Sequence, residues 1–503
     1  MSKKATNRKM VTIAMLVAIL LVAIDVTVVS TAMPQIVGDL NGLKLISWVF
    51  AIYTLTTAVT TPIYGKLSDL FGRKKIFMTG VILFVAGSML SGAAQTMTQL
   101  IWFRAFQGIG AGAVMPLTFT IIGDIYPGEQ RAKMQGVFSS VWGIAGLLGP
   151  LVGGFFVDQI SWRWIFYINL PVGIVSLLLI TVFFHESVEL KKSRNIDYLG
   201  AITFTIGIST LLYALLNAGP GQKYAWNSTT IYVLFAVAII FIVLFGYIET
   251  KVQEPMLPPS LFRIPVILVS NLIGFLSSAV LIGVNVYLPM WIQTILGHSA
   301  TSSGLTLMPM SIAWPLGATF AGRYMYKIGS KLTAVIGAVF IALGSTWLLA
   351  LELDSPYWYF VGIMIVIGLG MGYATTPTTV LVQSAVGWQM RGAATASNTF
   401  TRSIGQTVGV AVFGTIFNNS LIDYGKEHFT GALTKDRDIN NILGSDTINT
   451  LPESVVELIH KALAHGLHLV FILVFIIGIA TLIVTFFLPS HQKVLEHQKQ
   501  VQQ

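Results

Sequence analysis

The chain has 503 residues, 54% hydrophobic and only 10% charged, with a mean hydropathy of +0.76 and a formal net charge of +9. A soluble domain carries about 25% charged residues, so this composition places the chain in a membrane. Cysteine is absent, which excludes disulfides, thiol nucleophiles and zinc–thiolate sites; the basic residues form no soluble basic segment, which excludes nucleic acid as a partner.

Residues 1–10 hold four basic side chains and run directly into an apolar segment. No small-residue cleavage motif follows, so an uncleaved first helix is expected. Fourteen apolar runs are long enough to cross a bilayer: 11–33, 46–66, 76–94, 99–122, 134–157, 163–185, 197–217, 228–249, 264–290, 302–326, 332–351, 357–382, 392–417 and 466–488. They are continuous, not alternating, which predicts helices and not barrel strands. Twenty-one of the 30 Lys and Arg flank the runs on the N-terminal side and seven on the other; Arg104 and Arg402 lie inside runs. The bias predicts that both termini are cytoplasmic. One outer loop, 418–465, is long, and Thr450-Leu-Pro-Glu453 reads as a capping box opening a short surface helix that ends near Leu463.

The chain repeats itself. Gly65 and Gly72 are seven residues apart after the second run, and Gly322 and Gly329 are seven apart after the tenth. Arg131 precedes Gly149 by the interval at which Arg391 precedes Gly409. A six-helix unit repeated in parallel is a transporter architecture with its site near the midplane. The expected class is an all-α integral membrane protein of 14 transmembrane helices. An N-terminal six-helix bundle spans 1–190, two inserted helices span 191–255, a C-terminal bundle spans 256–490, and a cytoplasmic tail spans 491–503.

Asp25 is the deepest acid in any run. An ionisable group in hydrocarbon is costly and is a functional-site hypothesis by default; a buried carboxylate is suited to taking up and releasing a proton. Arg104 falls at a comparable depth in the fourth run and is the expected partner. A structural ion pair fixing helix register is the other reading of the same two residues. No deep acid occurs in the later runs, which argues against divalent cationic cargo. Trp48, Tyr53, Trp142, Phe275, Tyr287, Trp291, Met308, Met310 and Trp314 could line an adaptable cavity, although interfacial placement explains such residues as well.

Five segments together resemble the major facilitator superfamily, and within it the fourteen-span drug:proton antiporter branch of EmrB/QacA-type exporters. They are Asp25-Val-Thr27 through Pro34, Gly65-Lys-Leu-Ser-Asp69-Leu-Phe-Gly72-Arg73-Lys74-Lys75, Arg104-Ala-Phe-Gln107-Gly108-Ile-Gly110, Gly143-Ile-Ala-Gly146-Leu-Leu-Gly149-Pro150-Leu-Val-Gly153-Gly154, and Trp162-Arg163-Trp164 through Pro171. Ser30 stands where that branch usually has Asn. The resemblance implies that Asp25 and Arg104 couple proton and substrate. It also implies that Gly65, Asp69, Gly72 and Arg73 form a gating loop, and that Gly143, Gly146, Gly149, Pro150, Gly153 and Gly154 form the antiporter helix. In the second copy of the gating loop Tyr326 stands in place of the acid, so the two gates are expected to differ electrostatically.

The expected function is proton-coupled export of amphipathic drugs, antibiotics among them, as monovalent cations, zwitterions or neutral molecules, across a bacterial-type cytoplasmic membrane. Protons, small amphipathic molecules and the bilayer are the expected partners; no cofactor, metal or obligate protein partner is implied. A dedicated exporter of one metabolite, peptide or lipid-like molecule is the main alternative. A sensor or scaffold would need an output domain, and the inner loops are short. No Walker pattern, H-E-x-x-H, G-x-S-x-G or cysteine nucleophile supports ATP drive or an enzyme.

Overall fold

The structure is a computed structural model that describes residues 6–40, 45–186, 195–219, 223–297, 305–353, 355–428 and 453–489. Fourteen helices of fifteen residues or more form among them. They are α1 (Arg8–Leu40), α2 (Ile46–Phe71), α3 (Arg73–Gly92), α4 (Met97–Ile125), α5 (Gly128–Gln159), α6 (Asn169–Phe183) and α7 (Tyr198–Asn217). The series continues with α8 (Thr229–Glu249), α9 (Pro265–Thr294), α10 (Met308–Ile328), α11 (Ser330–Leu348), α12 (Tyr357–Ser384), α13 (Trp388–His428) and α14 (Glu453–Phe486). Short turns at Trp164–Tyr167 and Pro259–Phe262 precede α6 and α9. Caps follow the sequence: Thr96, Asp197 and Ser228 accept from the N–H groups of Gln99, Gly200 and Ile231.

Eleven of these helices are long and apolar enough to cross a membrane. The exceptions are α2, α10 and α13. In α2 the polarity comes from threonines. Thr54, Thr56, Thr57, Thr60 and Thr61 return their hydroxyls to the carbonyl one turn back, so they enter a low-dielectric environment already satisfied.

Two expectations about the long outer loop are corrected. The helix begun in the thirteenth run continues to His428, beyond the expected loop start at 418. The stretch after Glu453 is the beginning of α14 and not a separate surface helix. The apolar periodicity runs on through Gly466, which packs against Phe417 and does not break the helix. Thr450, half of that loop and the tail 491–503 lie outside the described residues.

Helix α1 lies along α5 and α6, α2 along α4, and α3 along α4; α9 lies along α13 and α14, and α10 along α12. One apolar core draws its residues from Val11 to Phe184, and another from Val280 to Val474. Helix α2 crosses α13 and α5 crosses α10, which joins the two sets. Helix α7 packs on α8 and reaches α2 and α13. The repeat is visible in the backbone. Gly72 (φ 98°, ψ 147°) joins α2 to α3, and Gly329 (φ 90°, ψ 145°) joins α10 to α11 with nearly the same dihedrals. An L side chain avoids that conformation.

Candidate functional site

Asp25 and Arg104 meet inside the helix bundle, each about 1% exposed. Arg104 Nη1 donates to Asp25 Oδ2 at 2.5 Å and to Gln107 Oε1 at 2.8 Å. The other carboxylate oxygen accepts from Gln107 Nε2 at 2.8 Å and from Asn169 Nδ2 at 3.2 Å. Asn169 also donates to Ser88 Oγ at 2.9 Å, and Ser88 donates to the Phe166 carbonyl at 2.8 Å. The Arg104 guanidinium lies over the Tyr53 ring, 4.1 Å from its centroid. Six helical segments therefore hold one carboxylate. Three donors satisfy the carboxylate, and a low dielectric strengthens each bond, while Arg104 Nε and Tyr53 Oη are buried without partners among the described residues. Gln107 is three residues beyond Arg104, so helical spacing foreshadows its place on the same face. Asn169 and Ser88 have no such local signal, because only tertiary packing brings α3 and α6 to α1.

Helix α5 carries the glycine series. A Cβ at Gly143 would overlap the Ser311 carbonyl of α10, and one at Gly146 would lie 3.3 Å from Ser311 Oγ. Gly149 faces the other way: its Cβ would overlap Thr27 Oγ1 and lie 2.6 Å from Thr27 Cβ on α1. Thr27 donates to the Ala145 carbonyl at 3.2 Å. Thus α5 sits between the helix that bears Asp25 and a helix of the later half. Gly153 is buried, and Gly154 has open space where a side chain would go. The helix is continuous through Pro150, whose side chain lies outside the described residues.

The gating-loop residues converge at the end of the bundle where α1 begins and α14 stops. Asp69 accepts from the N–H groups of Gly392 (3.0 Å) and Ala393 (2.9 Å) in the first turns of α13. An anion there meets the positive end of the helix dipole. Arg73 pairs with Asp69, donates to Asp124 Oδ2 at 3.1 Å and to the Trp388 carbonyl at 2.8 Å, and lies over the Trp388 ring. Arg391 donates to the second oxygen of Asp124 at 2.5 Å. One carboxylate thus joins arginines from both halves. Gly65 permits the close crossing: a Cβ there would overlap Ala396 Cβ and lie 2.8 Å from the Gly392 carbonyl oxygen. Gly72 makes room for Glu186, whose carboxylate accepts the Arg73 N–H and would lie 2.6 Å from a Cβ at 72. Burial raises the Glu186 carboxyl above the usual carboxylate range, against the lowering effect of the Arg73 and Lys74 N–H groups.

The second crossing has the same shape and other chemistry. Gly322 packs on the Ala132 carbonyl, and Arg131 donates to Ser384 Oγ at 3.1 Å. Asp124, Trp388, Arg391 and Glu186 were not legible as partners of the 65–73 loop and its crossing, since each lies far from it in sequence. Of the candidate cavity aromatics, Tyr53 serves Arg104, and Tyr287, Trp291 and Met310 are buried in the later apolar core.

Fold and site together define a multi-pass membrane transporter built from two joined helix sets. The sequence matches the family model described as Major Facilitator Superfamily over residues 15–251 and 190–410. It is 40% identical over 418 residues to the Multidrug transporter protein MdtP of Bacillus subtilis, covering 82% of this chain and 76% of that one. It is 36% identical over 481 residues to Multidrug resistance protein 3 of the same organism, covering 94% and 93%. The fold resembles the solved structure of the proton:xylose symporter XylE with a TM-score of 0.63 at 16% identity, covering 96% of each chain. The chain belongs to the major facilitator superfamily, and it is a transporter and not an enzyme.

Proposed function

We propose that this chain is a proton-coupled antiporter that exports amphipathic small molecules, as monovalent cations or neutral species, by alternating access. The observation that carries the reading is the Asp25 carboxylate, enclosed at mid-span with Arg104, Gln107 and Asn169 as its donors. All fourteen long helices span the membrane in this reading. Six form a bundle over 1–190, six form a second over 256–490, and α7 and α8 are inserted between. The Lys/Arg bias favours cytoplasmic termini in a bacterial-type cytoplasmic membrane.

Protonation of Asp25 removes the charge that holds Arg104. Helices α1 and α4 then repack, and the Thr27–Gly149 contact passes the shift of α1 to α5. Gly143 and Gly146 pass it to α10 in the later half. The gate at Asp69, Arg73, Asp124 and Arg391 then opens or closes as a unit. One proton supplies about 2.3 kcal/mol per 100 mV and about 1.4 kcal/mol per pH unit, enough to concentrate a monovalent or neutral cargo without ATP.

Inverted vesicles with an imposed pH gradient test the proposal, using a panel of cationic and neutral dyes. Asp25→Asn is expected to abolish gradient-driven uptake. Unchanged uptake would refute the role of Asp25. Failure of every dye in the wild type would favour a dedicated exporter of one endogenous molecule.

A further inference from the structure

Arg402 lies in α13, and no part of the proposed coupling network uses it. It is half-buried, and among the described residues no hydrogen bond, ion pair or nearby carboxylate satisfies its guanidinium. It is fourteen residues into α13 from Trp388, about 21 Å along the helix at 1.5 Å per residue. Asp25 is seventeen residues into α1, about 25 Å from the same end. The two charges therefore stand at similar depth in opposite halves.

They are not each other's partner, because Arg104 already occupies Asp25. The nearest acid on α13 is Asp423, twenty-one residues away and about 32 Å distant. A charge at mid-span needs a counter-charge, and the described residues of the later half supply no carboxylate at that level.

The direction of Arg402 follows from its helix. Gly405 packs on the Phe275 backbone of α9, Ala396 on Gly65 of α2, and Phe400 on Phe204 of α7. At about 100° per residue, Arg402 points roughly 160° away from Phe400 and between the α9 and α2 sides. It therefore leaves α13 on the side between α9 and α2. Its stem crosses α9 at Gly274, where a Cβ would lie 3.0 Å from Arg402 Cγ. On the same face of α9, at helical intervals from Gly274, are Ser278 and Asn285. Ser278 Oγ and Asn285 Oδ1 are buried without hydrogen-bond partners among the described residues. The position matching Arg402 in the first half, at the repeat offset, is Trp142, so the cation belongs to one half alone.

We propose that Arg402 anchors an anionic group on the transported molecule, so that the cargo includes zwitterions and weak organic acids. The guanidinium offers a planar fork of donors that suits a carboxylate or a sulfonate, and Ser278, one turn beyond Gly274 on α9, carries a buried unpartnered hydroxyl. This rests on the export reading above and extends its cargo to molecules that carry an acid.

The test is equilibrium binding to the purified full chain in detergent, which needs no gradient. The probes are a rhodamine bearing a free carboxylate and its methyl ester, which differ only in the acid. The wild type is expected to prefer the acid. Arg402→Gln should weaken the acid at least tenfold and leave the ester within twofold, and Arg402→Lys should keep part of the acid affinity through its charge but lose the contribution of the fork. Equal weakening of acid and ester, or unchanged binding of the acid in Arg402→Gln, overturns the proposal. The ester serves as the folding control. Acid-selective binding lost in Arg402→Gln, together with no proton-driven uptake in the wild type, would support this anchor while removing the antiport reading.

Discussion

Gly65→Ala should force the gate open. The added Cβ would lie 2.8 Å from the Gly392 carbonyl oxygen and closer still to Ala396 Cβ. Carbon contacts are optimal at about 3.5–4.0 Å, so α2 and α13 must part by roughly 1 Å. Backbone blocks the way on one side, and no rotamer change relieves it. Overpacking of this kind costs about 1–3 kcal/mol. Parting also stretches the two Asp69 bonds to Gly392 and Ala393, which stand at 3.0 and 2.9 Å. The closed state should lose roughly 5- to 150-fold in population against states in which these helices separate. The absence of native cysteine makes the assay clean. Thr395, 2% exposed and inside the crossing between Gly392 and Ala396, is replaced by cysteine, and its labelling by an impermeant maleimide is followed in inverted vesicles. Gly65→Ala should speed labelling at least fivefold. An unchanged rate in a folded variant would show that this crossing does not seal the gate.

Gly72→Ala and Gly329→Ala should both lower the melting temperature in detergent, because each imposes φ near +90° on an L residue. Gly72→Ala should cost more, since Glu186 blocks its Cβ and nothing lies within 4 Å at Gly329; equal losses would exclude the Glu186 contact as a factor. Glu186→Gln tests the buried carboxylate. A folded pKa above the unfolded value makes its contribution full below the ordinary value near 4.5 and lost as pH rises through the folded pKa. The neutral variant should therefore melt higher than the wild type at pH 7, and the gap should close near pH 4. A gap independent of pH would refute the assignment.

The helix content was legible because runs of spanning length carry an unambiguous apolar signal. The weak points were the polar helices α2 and α13, where threonines and Arg402 dilute that signal for packing and site reasons. The end of the thirteenth run was misplaced because Asn418 through His428 is polar, and polarity there reads as loop although the helix continues. Asp25 and Arg104 stood out because charge in hydrocarbon is rare. Their companions Asn169 and Ser88 did not, since an amide or hydroxyl in a span is unremarkable until another helix brings a carboxylate to it. Asp69 was visible through the resemblance of the 65–75 loop to the family pattern. Its acceptor role depends on the start of α13, more than three hundred residues away, which no local pattern encodes.

The two contact faces of α5 have a genetic consequence. No side chain stands between Gly149 and Thr27, or between Gly143 and Ser311, to absorb a displacement. A larger residue at 149 would therefore be transmitted whole to α1, and loss of function there should be reversible by shaving the opposing surface. Thr27→Gly removes the two atoms that a Cβ at 149 would overlap, so second-site revertants of Gly149→Ala should collect at position 27 and not at the carboxylate two residues away.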